Sequence, residues 1–282
     1  MQKLHYILYN EIFKYLQFFD EHTFKRTCQY AKKINITNLY DVDKKYLDKM
    51  NDDILQEYKF AIKLDASDNP KITNINHMVK LKVLRAFANC GIDDYGIKKL
   101  NLEKLDASCN PRISHVNHMS KLKILDASFS CGINNDGIKH LDLKELNANG
   151  NSRIKNVNHM QNLEILKAGG TCGIDDNGIK HINLELLDAC SNIKITNINH
   201  MSKLKMLDAR FDCGIDDNGI VKLNLEILYA DDNNKITDVN YMTNLRVFHA
   251  DNNCGIDCDR LSNVNLTRLS VNYNPKLEEL SA

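Results

Sequence analysis

The chain is patterned in short alternating segments. In "KLDAS", residues 104–108, Leu105 and Ala107 alternate with Lys104, Asp106 and Ser108, the period of a strand with one buried face. The segment recurs with its first leucine at Leu64, Leu105, Leu146, Leu187, Leu228 and Leu269. A second set has Leu84, Leu125, Leu166, Leu207 and Phe248, so successive copies are offset by 20 and then 21 residues. Most copies share L-x-x-L-x-A, a polar residue three further on, and Ile or Leu three beyond that. The second set continues into Gly-Ile-x-x-Leu, which predicts a short helical turn, whereas the "NINHM" segments of the first set predict extended chain with short turns. Residues 1–40 do not repeat. Ile7, Leu8, Ile12, Tyr15 and Leu16 have helical spacing, "FFD" breaks it, and a second helix is expected from Glu21 to about Ile34, with Phe24, Cys28 and Ala31 on one face.

The two segment types together make a 41-residue unit, marked by Cys90, Cys131, Cys172, Cys213 and Cys254. One such coil cannot bury its apolar residues alone. Stacked coils bury them together, each adding a strand to a parallel sheet, and repetition of this kind fixes the architecture.

These residues resemble the leucine-rich-repeat family. The first segment is similar to the short asparagine type, L-x-x-L-x-L-x-x-N-x-x-I, and the second to the cysteine-containing type. The resemblance implies an α/β fold: a right-handed leucine-rich-repeat solenoid with a curved parallel β-sheet of about eleven coils of 20–21 residues, covering 61–282. Two departures stand out. Ala occupies the inner strand position where the family has Leu (Ala66, Ala86, Ala107 and on to Ala250), and the cysteine falls one residue later.

Residues 1–40 resemble an F-box. Glu11, Ile12, Tyr15, Leu16, Asp20, Phe24 and Cys28 match in order, although the usual Pro and Trp are missing and Thr27 stands in place of Val. Residues 41–60 are expected to form a junction and a degenerate first coil, because "NDDIL" echoes the later "DDNGI". With its Asn-rich wording, the whole chain is similar to F-box/leucine-rich-repeat proteins encoded by giant DNA viruses. That resemblance implies a substrate-recognition subunit of a Skp1–cullin–F-box ubiquitin ligase. Ile12, Leu16 and Phe24 would then dock on a Skp1-like adaptor in the host cytoplasm. The other reading is a stand-alone scaffold whose N-terminal helices cap the solenoid.

Composition narrows the field. The 282 residues carry 37 basic and 37 acidic side chains, so nothing resembles the basic stripe that nucleic acid demands. No apolar run reaches the roughly 18–20 residues of a membrane span, and the N-terminus lacks a small-residue cleavage site. An intracellular chain with nine reduced cysteines is expected.

The stretch "CGIDDNGI", residues 172–179, looks like chemistry until its repetition is considered. Cysteines two coils apart stand about 10 Å from one another, too far for a disulfide or a shared zinc. They read as small buried hydrophobes. The glycine reads as a bend and the aspartates as the cap of a short helix. The segment lacks the alternating oxygens of an EF-hand loop. His77, His118, His159 and His200 share the two-coil spacing and read as a structural row. Asn69, Asn110, Asn151, Asn192, Asn233 and Asn274 are expected to satisfy backbone groups of the bend after the strand.

No nucleophile triad, phosphate loop or zinc motif is visible, and no insertion breaks the repeat, so neither enzyme activity, cofactor nor metal is expected. Partner binding is expected on the concave face. Arg85, Phe87, Asp126, Phe129, Lys167, Asp208, Arg210, Phe211, Tyr229, His249 and Asp251 project there as an acidic stripe with scattered aromatic and arginine anchors, which suits a protein partner.

Overall fold

A computed structural model of the chain describes residues 37–40 and 47–277. The expected F-box-like helices, with Ile12, Leu16 and Phe24, lie outside the described residues. The chain forms two compact units, residues 1–113 with 118–122, and residues 114–117 with 123–282.

The first unit holds four parallel strands in chain order: β1 (Asn38–Leu39), β2 (Lys63–Asp65), β3 (Val83–Arg85) and β4 (Lys104–Asp106). Their register sets Leu39, Leu64, Leu84 and Leu105 side by side, and all four are buried. The last residues of the 1–40 segment thus join the sheet. The "NDDIL" echo has a physical counterpart: Asp52–Leu55 is helical, and the Asn51 side chain caps it by accepting from the Ile54 amide at 2.9 Å.

The second unit holds eight strands, also parallel and in chain order: β5 (Ile124–Asp126), β6 (Glu145–Asn147), β7 (Ile165–Lys167), β8 (Leu186–Asp188), β9 (Met206–Asp208), β10 (Ile227–Tyr229), β11 (Val247–His249) and β12 (Arg268–Ser270). Each strand is three residues long, because from β5 to β10 only Leu and the Ala after it turn inward before the chain bends, with Phe248 taking the place of Leu in β11. The Leu, Ala, Cys and Ile rows are buried except at Leu269 in the last strand, and so is a methionine row of Met160, Met201 and Met242. Burying each large aliphatic side chain stabilises the fold by roughly 1.5–3 kcal/mol.

The polar rows are structural in both units. The Asn192 amide donates to the Ala168 carbonyl at 2.6 Å and to that of Ile174 at 3.1 Å, while its Oδ1 accepts from the Lys194 amide at 3.0 Å. Asn110, Asn151 and Asn233 repeat the pattern. Asp93, Asn134, Asp175 and Asp216 each cap a four-residue helix, accepting from a glycine amide three residues on. The second aspartate of the pair ties coils together. Asp176 accepts from the amide and hydroxyl of Thr196, as Asp217 does from Thr237. The Nε2 atoms of His118, His159 and His200 lie 3.1–3.2 Å from the carbonyls of Ile97, Ile138 and Ile179, the last residues of helices.

In the second unit the glycine after each cysteine lies at a bend, as the sequence suggests, and is crowded there. At Gly173 a Cβ would meet the Ser152 carbonyl at 2.5 Å and that of Ile154 at 2.6 Å, so the residue is small because backbone approaches it closely. A second turn lies nearer the strand, two residues after the inward position that Ala fills in most coils. There Phe129, Ser191, Phe211, Asp232, Asn252 and Tyr273 in the second unit all have φ between 56° and 59°, and Gly150 and Gly170 have 68° and 61°.

Candidate functional site

The exposed face of the sheet in the second unit carries two rows of outward side chains. The first is Asp126, Asn147, Lys167, Asp188, Asp208, Tyr229, His249 and Ser270, one from each of β5–β12. The second follows the inward Ala: Ser128, Asn149, Gly169, Cys190, Arg210, Asp231, Asp251 and Asn272. Five aspartates stand against one lysine and one arginine in these rows, so the face is acidic.

At the bend that borders the face, five successive coils present Phe129, Gly150, Gly170, Ser191 and Phe211. Two phenylalanines therefore bracket three small residues, about 19 Å apart at the spacing of parallel strands. Phe129 is 59% exposed and Phe211 45%, which is unusual for side chains of that size. Beside Phe129 lies an open slot of about 730 Å³, lined among others by Phe129, Asn149, Gly150, Gly169, Gly170, Asp188, Cys190 and Arg210, whereas Phe211 lies outside it. The missing side chain of Gly170, where a Cβ would meet nothing within 4 Å, opens this space.

The floor is internally bonded. Asn149 receives the Gly169 amide on its Oδ1 at 2.6 Å and donates to Asp188 Oδ2 at 3.1 Å. Asp188 Oδ1 also accepts from the Cys190 amide. Arg210 grips Asp208 through Nε and Nη2, the shortest contact being 2.7 Å, and this bond pushes the guanidinium pKa upward. Its guanidinium also lies 5.6 Å from the Tyr229 ring centre and 5.9 Å from that of Phe211. Tyr229 meets His249 edge-on at 4.8 Å. Asp231 accepts from the Asp251 amide, and burial, with Asp251 adding to it, raises its pKa.

The structure thus brings Phe129, Asp208, Arg210, Phe211, Tyr229, His249 and Asp251 onto one unit, together with Asp126 and Lys167 from β5 and β7. Arg85 and Phe87 fall in the first unit. There Arg85 lies 3.5 Å from Asp65 and 4.0 Å from the centre of the Tyr40 ring.

The slot was missed from sequence because it breaks the repeat by side-chain size and not by spacing. The signal was present: "NANG" at 147–150 and "KAGG" at 167–170 replace the "DAS" wording of neighbouring copies.

Among the described residues one group could hold a metal: Asp188, Cys190 and Asp208, whose ligand atoms lie within 4.8 Å of one another. Their carboxylates already serve Arg210, Asn149 and the Cys190 amide. Burial, followed by the two aspartates, holds the Cys190 thiol above its ordinary pKa despite the hydrogen bond to Ser191, which keeps the group a poor thiolate donor. The repeat cysteines are neutral as well, since burial pushes Cys172 and Cys213 up to about 11.

No family model and no curated protein sequence matches the chain. Solved structures do. An internalin (inlF) from Listeria monocytogenes matches with a TM-score of 0.57 at 19% identity, over 87% of this chain and 78% of that one. The functional domain of InlJ from Listeria monocytogenes matches with a TM-score of 0.48 at 18% identity, over 78% of this chain and 55% of that one. At this identity the likeness is one of fold. With the ladder of short parallel strands, it defines a leucine-rich-repeat solenoid fold. No helix among the described residues is long and apolar enough to cross a membrane.

Proposed function

We propose that the chain is a non-enzymatic adaptor that holds a protein partner on the exposed face of its sheet. The observation that carries this reading is the slot lined by Phe129 and Arg210, with Phe211 and Tyr229 close to the same guanidinium. Exposed aromatic and arginine side chains around a recess are the usual anchors of protein interfaces. Residues 1–40 supply the second half of the proposal. Their F-box resemblance supports docking on a Skp1-type subunit through Ile12, Leu16 and Phe24, which makes the repeats the substrate-holding part of a ubiquitin ligase in a host cytoplasm.

The test is a pull-down with purified Skp1 and the full chain. Binding that is lost in an Ile12→Asp, Leu16→Asp variant, with an unchanged melting curve, supports the ligase role. Failure of the intact chain to bind any Skp1 homologue removes that role and leaves a stand-alone scaffold.

A further inference from the structure

Where an aspartate fills the left-handed position after a strand, it serves the next coil. Asp68 accepts from the Asn89 amide at 3.5 Å. Asp232 accepts from the Asn253 amide at 3.4 Å and from the Asn252 side chain at 3.0 Å. Gly150 stands in the same relation to Thr171, 21 residues on, and brings no carboxylate. The Thr171 hydroxyl donates to the Gly150 carbonyl at 3.3 Å, but the exposed Thr171 amide meets no acceptor among the described residues. The Phe129 ring lies over this glycine, 3.0 Å from where a Cβ would stand, so the chain has no room for a side chain of its own there. A basic residue stands nearby. Lys194, Lys235 and Lys276 each donate to a carbonyl of the preceding coil. Arg153 follows Asn151 as Lys194 follows Asn192, yet its guanidinium has no partner among the described residues and lines the slot with Thr171. The other charged groups of the lining are engaged on the strand side. Arg210 is paired with Asp208, and Asp188 accepts from Asn149 and from the Cys190 amide. On the Thr171 side the unpaired charge is therefore positive.

We propose that the outer part of the slot takes one aspartate or glutamate side chain of a partner protein, which does for Thr171 what Asp68 does for Asn89 and Asp232 for Asn253. One carboxylate oxygen accepts from the Thr171 amide and the other faces the Arg153 guanidinium. The inference rests on the reading of this surface as a protein-binding one and adds the chemistry of a residue that it recognises. Both groups are donors, and a carboxylate forms charge-assisted hydrogen bonds with them that a neutral amide or hydroxyl cannot match. The exposed Phe129 ring offers an apolar wall to the methylenes of the same side chain. The aspartates of the sheet lie on the strand side and repel further acid, so the matching segment carries a single acidic residue among neutral ones.

The experiment uses the full chain and two random peptide libraries with amidated ends. One has a central glutamate and the other a central glutamine, and no other position is acidic. Bound peptides are sequenced, labelled with fluorescein and titrated by anisotropy. The glutamate library is expected to yield binders and the glutamine library none. Exchanging the glutamate of a binder for glutamine, and Arg153→Gln in the protein, are each expected to weaken binding about tenfold. The two together are expected to weaken it by less than the product of the two effects, since they remove one shared contact. Gly150→Asp supplies a carboxylate from the chain itself, in a backbone conformation that Asp68 and Asp232 adopt, and is expected to exclude the peptide from a folded protein. If the Phe129 ring does not yield and this variant fails to fold, the Arg153→Gln comparison decides.

Binders that need their glutamate but ignore both Arg153→Gln and Gly150→Asp put the carboxylate elsewhere and overturn the site. Equal yield from the two libraries, with binding that Arg153→Gln leaves unchanged and Phe129→Ala abolishes, overturns the acidic residue and keeps the protein-binding surface. No binder from either library overturns both.

Discussion

Asn149 donates its side-chain amide to Asp188 at 3.1 Å, although the coil of Gly169 lies between them. At about 4.8 Å per coil, such a bond spans two steps and requires that nothing project from the middle one. Gly169 meets that requirement. A Cβ there would stand 2.8 Å from the Cys190 carbonyl, 3.2 Å from Asn149 Oδ1 and 3.3 Å from Asp188 Oδ1.

The two glycines of this coil therefore differ in kind. Gly169 lies in crowded surroundings, while Gly170 has φ 61° and open space around it. Gly169→Ala is expected to cost about 1–3 kcal/mol, because backbone and two bonded side chains must shift. Gly170→Asn is expected to cost under about 1 kcal/mol, since Asn tolerates the left-handed conformation, as Asn252 does at φ 57°. Chemical denaturation of the two variants checks the order. A Gly170→Asn more damaging than Gly169→Ala would contradict this account.

The asparagine row predicts a larger loss. Asn192 is buried and serves two carbonyls and one amide. Asn192→Ala strands all three, and each unsatisfied buried group costs about 1–3 kcal/mol. A drop of at least roughly 3 kcal/mol is expected, measured by denaturant unfolding. Asn199, half-buried in the neighbouring segment, also bridges coils through solvent-exposed bonds, donating to the Asn218 carbonyl and accepting from the Lys222 amide. Water can replace those partners, so Asn199→Ala is expected to cost about 1 kcal/mol or less.

These two rows show what was legible in the sequence. Leu, Ala, Asn, Cys and Ile occupy buried positions that recur with the coil, and burial restricts each to one residue type. The rows and the resulting sheet could be read directly. The left-handed position could not, because it faces solvent and accepts Phe129, Gly150, Ser191, Asp232 or Tyr273 alike. The slot is built at that position. Strand β1 was also hidden. Leu39 precedes its partner Leu64 by 25 residues, not 20 or 21, so it falls out of phase with the repeat. The Asn76 row, which ties "NINHM" segments to the next helix through Tyr95 and Lys99, was visible as wording but not as a function.

The buried cysteines predict a pH dependence. Burial, the largest influence, raises Cys90 to about 12 and Cys172, Cys213 and Cys254 to about 11, against 9.0 for the unperturbed thiol. Between pH 9 and 11 the folded chain keeps protons that the unfolded chain loses, so the stability these thiols contribute is complete below pH 9 and is lost as pH rises through that window. Melting temperature is expected to fall steeply above pH 9, and a Cys172→Ala, Cys213→Ala variant to fall less steeply. At pH 8, iodoacetamide with mass analysis is expected to label Cys109 and Cys258, which are partly exposed, well before these four.

Tyr241 tests the histidine row from the opposite direction. It occupies the place of His200 one 41-residue unit on, where the Ile220 carbonyl at the end of helix Asp217–Ile220 corresponds to that of Ile179. The tyrosine is too long to make the short imidazole contact. Its hydroxyl is buried without a hydrogen-bond partner among the described residues, and that burial, with Asp217 and Asp238 adding to it, holds the phenol above its usual pKa. A buried hydroxyl without a partner costs about 1–3 kcal/mol, and a regained hydrogen bond contributes about 1 kcal/mol. Tyr241→His is therefore expected to stabilise the chain by roughly 1 kcal/mol or more, after the loss of some ring packing. The converse change, His200→Tyr, is expected to destabilise it. Denaturant midpoints of the two variants give the answer. A destabilised Tyr241→His would mean that the phenol ring packs too well to exchange and that the carbonyl contact contributes little.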